Sequence, residues 1–573
     1  MIDYKAKPFY LTDEKIKWVE ETFSSLSLEE KVGQIFCITA DTFDPNILGD
    51  IIRRIKPGSF MFRPNPALDV RRAYQSMQEN SRVPLMFPGN LEAGGNGVVL
   101  EGTYFSKPMG IAATDNEEYA RKLGYVCAKE GAAVGCTWNF GPVVDIDYNW
   151  RNPITNVRTF GSDVDRVIRM SKAYLKGVKD AKVDFAVCIK HFPGDGVDER
   201  DQHLLPTVND FTYEHWMKTY GRIYKELIAD GAESVMVGHF IAPNLVRKYN
   251  PDIKDEEILP ASTNKYIMTN LLRDELGFNG LISTDATPMV GFSGFLTRDQ
   301  AIRKAVAAGA DVILFTKNDK EDYDSVLNGI KEGEITMERL DEAVKRILAF
   351  KAYLNLDQVQ KTKKYVPDVE ELSILGNKEH LAWAEEVADN AITLVKDNQH
   401  LLPISPAKNK RIRLTVIGEN NSGAFGDSGS VGLPFKKLLE EAGFEVHIYD
   451  NKTLENMEIF TSGVEDMKKK FDLSIVAANV QTGSNNTSRR IDWITLMAAN
   501  EPWYTREIPT LFISFANPYH MVDVQFISTF INCYTANEQV LLQCVNKLLG
   551  KSEFKGKSPV DTSCGNIWGA KFM

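Results

Sequence analysis

The sequence predicts an α/β protein in two parts, an N-terminal (β/α)8 TIM-type barrel followed by a C-terminal α/β/α three-layer sandwich. Three observations predict it. The chain has 573 residues, too many for one hydrophobic core. Up to Phe350, eight apolar runs alternate with amphipathic helical patterns. After a polar break, five shorter β-branched runs alternate again with helices.

In the first part the strands are read at Gly33–Thr39, Gly58–Phe62, Pro84–Pro88, Thr137–Ile146, Phe185–His191, Ser234–Phe240, Gly280–Asp285 and Asp311–Phe315. Helical periodicity runs through Asn116–Glu130, Val164–Lys179, Tyr213–Ala229 and Asn264–Leu276. Eight β-α units of this length suit a closed barrel better than an open sheet. In that fold chemistry sits at the C-terminal ends of the strands, where His191, His239, Asp285 and the loops after Asp145 fall. Thr336–Tyr353 reads as a long helix closing a domain of residues 1–354. Residues 355–374, with Lys361–Lys364 and Val366-Pro367, read as a polar linker. The second domain, residues 375–573, opens on a helix at Lys378–Val395. Its strands are read at Leu414–Gly418, Glu445–Tyr449, Leu473–Ala477, Thr510–Phe515 and Phe530–Tyr534, with helices at Phe435–Glu441 and Glu538–Leu549. That alternation describes a doubly wound sheet.

Bulk properties remove several classes of function. A net charge of -11 argues against nucleic acid or an anionic membrane as partner. No 18-residue apolar stretch is present, and the first ten residues lack the apolar run of a signal peptide. Seven cysteines, several of them in apolar patterns (Cys37, Cys127, Cys136, Cys188), imply a reducing, cytoplasmic setting without a disulfide frame. Gly94–Gly97 and Gly426–Gly432 are glycine-rich but lack nucleotide-binding spacing, and no Gly-x-Ser-x-Gly appears. No cofactor and no metal are expected. His191, Asp195, Asp198, Asp201 and His203 could be drawn as a cluster, yet a solvated loop of turn-spaced carboxylates is the commoner arrangement.

The richest stretch is Cys188-Ile-Lys-His-Phe-Pro-Gly-Asp-Gly-Val-Asp-Glu-Arg-Asp-Gln-His-Leu-Leu-Pro206. A strand delivers Lys190 and His191, a Pro-Gly turn follows, and the loop then carries Asp201 and His203. A carboxylate beside an imidazole orients the ring and raises its basicity for proton transfer. The loop lies off any strand, so it must fold over the barrel mouth and is expected to move. A second chemical position is Leu281-Ile-Ser-Thr-Asp-Ala-Thr-Pro-Met289, where an apolar strand ends at the carboxylate of Asp285.

These strings resemble the signatures of glycoside hydrolase family 3, and within it the β-N-acetylglucosaminidase branch. Lys-His-Phe-Pro-Gly-x-Gly with Asp-x-His resembles that branch's acid/base loop, although the family's usual His between the glycines is here Asp195. The resemblance implies Asp285 as nucleophile and His203, oriented by Asp201, as acid/base. It also implies sugar contacts from Asp145, Arg158 (in Arg158-Thr-Phe-Gly-Ser-Asp163), Lys190, His191 and His239. Asn90, in Asn90-Leu-Glu-Ala-Gly-Gly95, stands where the family carries an Asp for distal hydroxyls. Asn390–Lys396, Leu401–Ile404 and Gly556–Val560 resemble second-domain motifs, so the likeness spans nearly the whole chain. What it implies is a retaining exo-acting β-N-acetylglucosaminidase taking a small N-acetylglucosamine-containing glycoside, as a monomer or homodimer. Three alternatives stay open on the same scaffold: a phosphorylase, a β-glucosidase or β-xylosidase, and a non-catalytic sugar-binding protein.

Overall fold

Eight parallel strands frame the first unit of the computed structural model, which describes residues 2–418, 430–449, 462–485, 487, 490–491 and 493–566. They are β1 (Phe36–Thr39), β2 (Ser59–Met61), β3 (Pro88–Gly89), β4 (Trp138–Asn139), β5 (Ala186–Phe192), β6 (Ser234–Val237), β7 (Leu281–Ala286) and β8 (Val312–Leu314). Their order in the sheet is β2-β1-β8-β7-β6-β5-β4-β3. A parallel bridge between Ser59 and Met86 joins the two edges, so the sheet closes into a barrel. β5 is buried at every position, as a strand enclosed on both faces must be.

Every predicted barrel strand is found, but two are much shorter than the apolar runs suggest. Of Thr137–Ile146 only Trp138–Asn139 forms a regular strand; beyond it the carbonyls of Gly141 and Pro142 still accept from Cys188 N (3.2 Å) and Lys190 N (3.4 Å), while Pro142 has no N–H to give in return. Val143 rejoins β5 by an isolated bridge to Lys190, which sets Asp145 beside His191. The helix expected over Tyr213–Ala229 breaks into Tyr213–Lys218 and Tyr220–Ala229. At the break the Thr219 hydroxyl donates back to the carbonyl of His215 (3.0 Å). Tyr266–Glu275 winds as a π-helix rather than an α-helix.

The N-terminal end of the barrel is tied by one buried carboxylate. Asp311, just before β8, accepts from Ile282 N (3.0 Å), Arg273 (2.7 Å), Arg339 (2.6 Å) and Arg346 (3.2 Å). Burial pushes its carboxyl up, and Arg346, Arg273 and Arg339 together outweigh that, holding it below the usual carboxylate range. Its contribution to stability is therefore present at neutral pH and lost as pH falls through the depressed pKa. Asp311→Ala leaves three guanidinium groups without their central acceptor. It is expected to cost about 3–5 kcal/mol, read as a lower denaturation midpoint in urea; an unchanged midpoint would make the cluster ornamental.

The second unit comprises Ser106–Tyr119, Asp147–Asp163 and Ala382–Met573, whereas the first is Met1–Phe105, Ala120–Ile146 and Val164–Leu381. Its sheet contains β9 (Thr393–Asp397), β10 (Arg411–Ile417), β11 (Glu445–Ile448), β12 (Leu473–Ala478), β13 (Thr510–Ser514) and β14 (Thr529–Asn532), in the order β9-β14-β13-β12-β10-β11. Alternate residues of each strand enter different cores. Ile475, Leu511, Ile513 and Ile531 join Phe435, Leu439 and Cys544 of two helices, Gly432–Glu441 and Glu538–Leu548. Val476, Phe512 and Phe530 instead meet Met521 and Val524. This is the three-layer sandwich. The start of β9 was expected as helix; the helix stops at Ala391, and Thr393-Leu394 and Lys396-Asp397 pair antiparallel with β14, the register shifting at Val395. Residues 355–374 are more ordered than a linker, holding a helix at Leu356–Thr362 and a 3-10 turn at Val369–Ile374. No helix among the described residues is long and apolar enough to cross a membrane. Cys37, Cys127, Cys136 and Cys188 are buried free thiols.

Candidate active site

The C-terminal ends of β5, β6 and β7 bring together Lys190, His191, His239 and Asp285 in the first unit. Asp145 is fully engaged beneath them. Its Oδ1 accepts from the N–H of His191 (3.1 Å) and of Asp195 (2.8 Å), and its Oδ2 accepts from His191 Nδ1 (2.7 Å). At 1% exposure Asp145 holds the ring of His191 rather than facing solvent. His191 Nε2 then points toward Asp285 Oδ2, 3.9 Å away. Asp195, the residue that departs from the family pattern, is buried and shapes the turn through its N–H to Asp145 and an Oδ1 that accepts from Gly196 N (2.6 Å).

Lys190 is almost enclosed, and its Nζ pairs with Glu92 Oε1 at 2.7 Å. The same Nζ lies 3.5 Å from Asn90 Oδ1, on the exposed residue following β3. The sequence reading kept Glu92 only as the carboxylate that would replace Asp285 if labelling fell there; its pairing with Lys190 emerges only from the fold. The pair leaves Asn90 as a neutral hydrogen-bonding group at that rim.

The Asp201–His203 loop is docked. His203 Nδ1 lies 2.6 Å from Asp201 Oδ1, which also accepts from His203 N (2.9 Å). Asp201 is buried, while the His203 side chain keeps 23% exposure with its Nδ1 edge turned to Asp201. The backbone is clamped from Val290 N to His203 O (3.1 Å) and from Gly291 N to Gln202 O (2.9 Å). Between the two dyad members, Gln202 donates from Nε2 to Asp285 Oδ2 (3.2 Å). These contacts join the loop to the strand end that carries Asp285. Gln202 is a functional residue the sequence reading passed over, since nothing in a lone loop glutamine announces a contact 83 positions away.

His239 is fully buried with both ring nitrogens satisfied. Nε2 can only donate to the carbonyl of Ala286 (3.0 Å), so Nδ1 accepts from the Ser262 hydroxyl (2.7 Å). Burial pushes its pKa down to about 4, which keeps the ring neutral near pH 7. It fixes the end of β7 instead of reaching outward. Asp285 feels opposing effects: burial raises its pKa, while His191 first, then His239 and His203, and the Ala286 N–H lower it more. The net shift is downward, so Asp285 is a carboxylate at neutral pH. Arg158 lies in the second unit, in the 3-10 turn Asn156–Arg158, where Nη1 donates to Ile154 O (3.0 Å). Among the described residues no group of three or more His, Cys, Asp and Glu is placed to hold a metal ion. Positions 426–429 of the glycine-rich stretch fall outside the described residues.

An ionised carboxylate at a strand end, with a carboxylate-backed imidazole docked over it, can perform nucleophilic attack and proton transfer at one bond. The sequence model of the glycosyl hydrolase family 3 N terminal domain matches residues 27–350. A "Beta-N-acetylglucosaminidase/beta-glucosidase" of Cellulomonas fimi is 41% identical over 567 residues, covering 99% of both chains. The solved structure of a "Beta-glucoside phosphorylase BglX bound to 2FGlc" is 45% identical with a TM-score of 0.91, covering 98% of this chain and 100% of that one. A family 3 β-N-acetylglucosaminidase from Paenibacillus sp. str. FPU-7 shares the fold at 22% identity, with a TM-score of 0.78 over 94% of this chain and 99% of that one.

Proposed function

Because the chain belongs to glycoside hydrolase family 3, we propose that it is a retaining exo-acting β-glycosidase of terminal β-linked N-acetylglucosamine and glucose. The observation that carries the reading is the Gln202 contact, by which the Asp201–His203 loop meets Asp285. In the first step Asp285 attacks the anomeric carbon while His203, held by Asp201 at Nδ1, gives the proton on Nε2 to the departing oxygen. A glycosyl ester on Asp285 results. In the second step His203 Nε2 takes a proton from water, which attacks the same carbon and releases the carboxylate. Nitrophenyl glycosides of both sugars should release nitrophenol at rates within about 100-fold of each other, the scale of discrimination one substituent gives in a pocket. Silence on both sugars would end the reading.

A second reading is favoured by the nature of the acid/base. After the first step His203 is neutral, and it presents no negative charge to an anionic acceptor, which a carboxylate base would repel. Inorganic phosphate can then replace water, in keeping with the 45% identical β-glucoside phosphorylase. On this reading, turnover rises with phosphate concentration and the product is a sugar 1-phosphate of retained anomeric configuration. Free sugar as the only product at every phosphate concentration would restrict the enzyme to hydrolysis.

A further inference from the structure

Gln202 closes a ring of hydrogen bonds around the reactive carboxylate. Its Oε1 accepts from the backbone N–H of His239 (2.7 Å), and its Nε2 donates to Asp285 Oδ2 (3.2 Å). His239 Nε2 donates to Ala286 O (3.0 Å), and Ala286 N donates to Asp285 Oδ1 (2.7 Å). The orientation of the amide is determined by its partners. A backbone N–H can only donate, so the oxygen must face His239 and the NH2 must face Asp285. Each oxygen of Asp285 thereby receives one neutral donor. Gln202 is buried at 1% exposure, and its own carbonyl is held by Gly291 N.

We propose that Gln202 is a positioning residue for Asp285, delivered by the acid/base loop so that the nucleophile is oriented only when that loop is docked. The inference rests on Asp285 being the nucleophile. It adds that one peptide supplies both halves of the site: His203 for the leaving oxygen and the neighbouring amide for the attacking carboxylate. Loop undocking withdraws both together, which keeps an ordered carboxylate from standing ready when no proton donor is present. A glutamate in this place would keep the bond to His239 N but turn a second carboxylate onto Asp285. The two would then share a proton, and the pair would titrate upward. The other titratable groups facing Asp285 are Cys188 and His191 from β5, His203 from the loop, and His239 after β6.

A 2,4-dinitrophenyl β-glycoside separates this role from that of His203, because its leaving group departs without a proton. On that substrate Gln202→Met should lose about 100-fold in the glycosylation rate, the cost of an ångström-scale misplacement, whereas His203→Ala stays within about tenfold of wild type. Gln202→Glu should be as slow at pH 7 and should recover at least about tenfold on acidification as the shared proton screens the pair, a response that a packing defect would not produce. Circular dichroism and thermal melting of both variants establish that the loss is not one of fold. A Gln202→Glu pH profile superposed on wild type, or a Gln202→Met rate within about threefold of wild type on the dinitrophenyl substrate, would overturn the proposal. Asp285→Ala run alongside distinguishes the two levels: if it remains active the nucleophile assignment falls, and if it is inactive while both Gln202 variants are normal only this inference falls.

Discussion

Asp285→Ala is expected to lower glycoside cleavage by at least about 10^4-fold while the protein folds as before. The side chain keeps 13% exposure, and the packing of β7 comes from Leu281, Ile282, Ser283 and Thr284, which stay buried without it. On the proposed mechanism, what disappears is the atom that forms the covalent bond. Histidine rings and a docked loop cannot substitute for it, because none can hold the sugar between steps. A 2-fluoro-2-deoxy glycoside with a good leaving group should accordingly label Asp285 in the wild-type enzyme, seen by peptide mass spectrometry. A label on Glu92 would move the nucleophile to the loop after β3. Residual turnover within about tenfold of wild type could not be reconciled with an ester at Asp285.

The barrel was legible because parallel strands buried on both faces give continuous apolar runs, and eight of them recur at βα spacing. Strand lengths were not, because pairing depends on backbone donors. Regular pairing of β4 covers Trp138–Asn139 alone, although Val143 and Val144 further on are apolar and buried and still meet β5 at Lys190. β9 was missed for a related reason: Ala391-Ile392-Thr393 continues a helical hydrophobic pattern, and only the partner strand β14 decides otherwise. The grouping of Asp147–Asp163 with the second unit has no sequence signal, since Asp147 is held by Tyr519, 372 positions away.

The site divides in the same way. The Asp201–His203 pair stands in a string that already suggests proton transfer, and Asp285 and His191 stand in strings whose family resemblance implies a nucleophile and a sugar contact. Glu92 and Gln202 act through long-range contacts to Lys190 and Asp285, and pattern alone cannot find such contacts. Asp145 and His239 carry the reverse lesson. Both sit in motifs that suggest sugar contact, yet each has its polar atoms engaged in holding a neighbour, His191 in one case and the end of β7 in the other.

His203→Ala should slow poor leaving groups most. An alkyl sugar alcohol cannot depart as its anion at a useful rate, so removing the proton donor is expected to cost about 10^2–10^4-fold, while a dinitrophenolate departs almost unaided. The slope of log kcat/KM against leaving-group pKa should therefore steepen sharply in the variant. Asp201→Asn should steepen it less. The imidazole is still present, but Nδ1 then faces an amide in place of the carboxylate oxygen now 2.6 Å away, losing charge support and a fixed tautomer. The second step gives an independent reading, since without a base to activate water the glycosyl ester on Asp285 accumulates. Azide needs no base, so it should speed turnover of His203→Ala and yield a glycosyl azide of retained configuration. A histidine that merely packed the loop would produce a uniform loss across leaving groups and no azide product. A flat slope in both variants would place the acid/base on another residue and leave the Asp201–His203 pair as a strut for Gln202 alone.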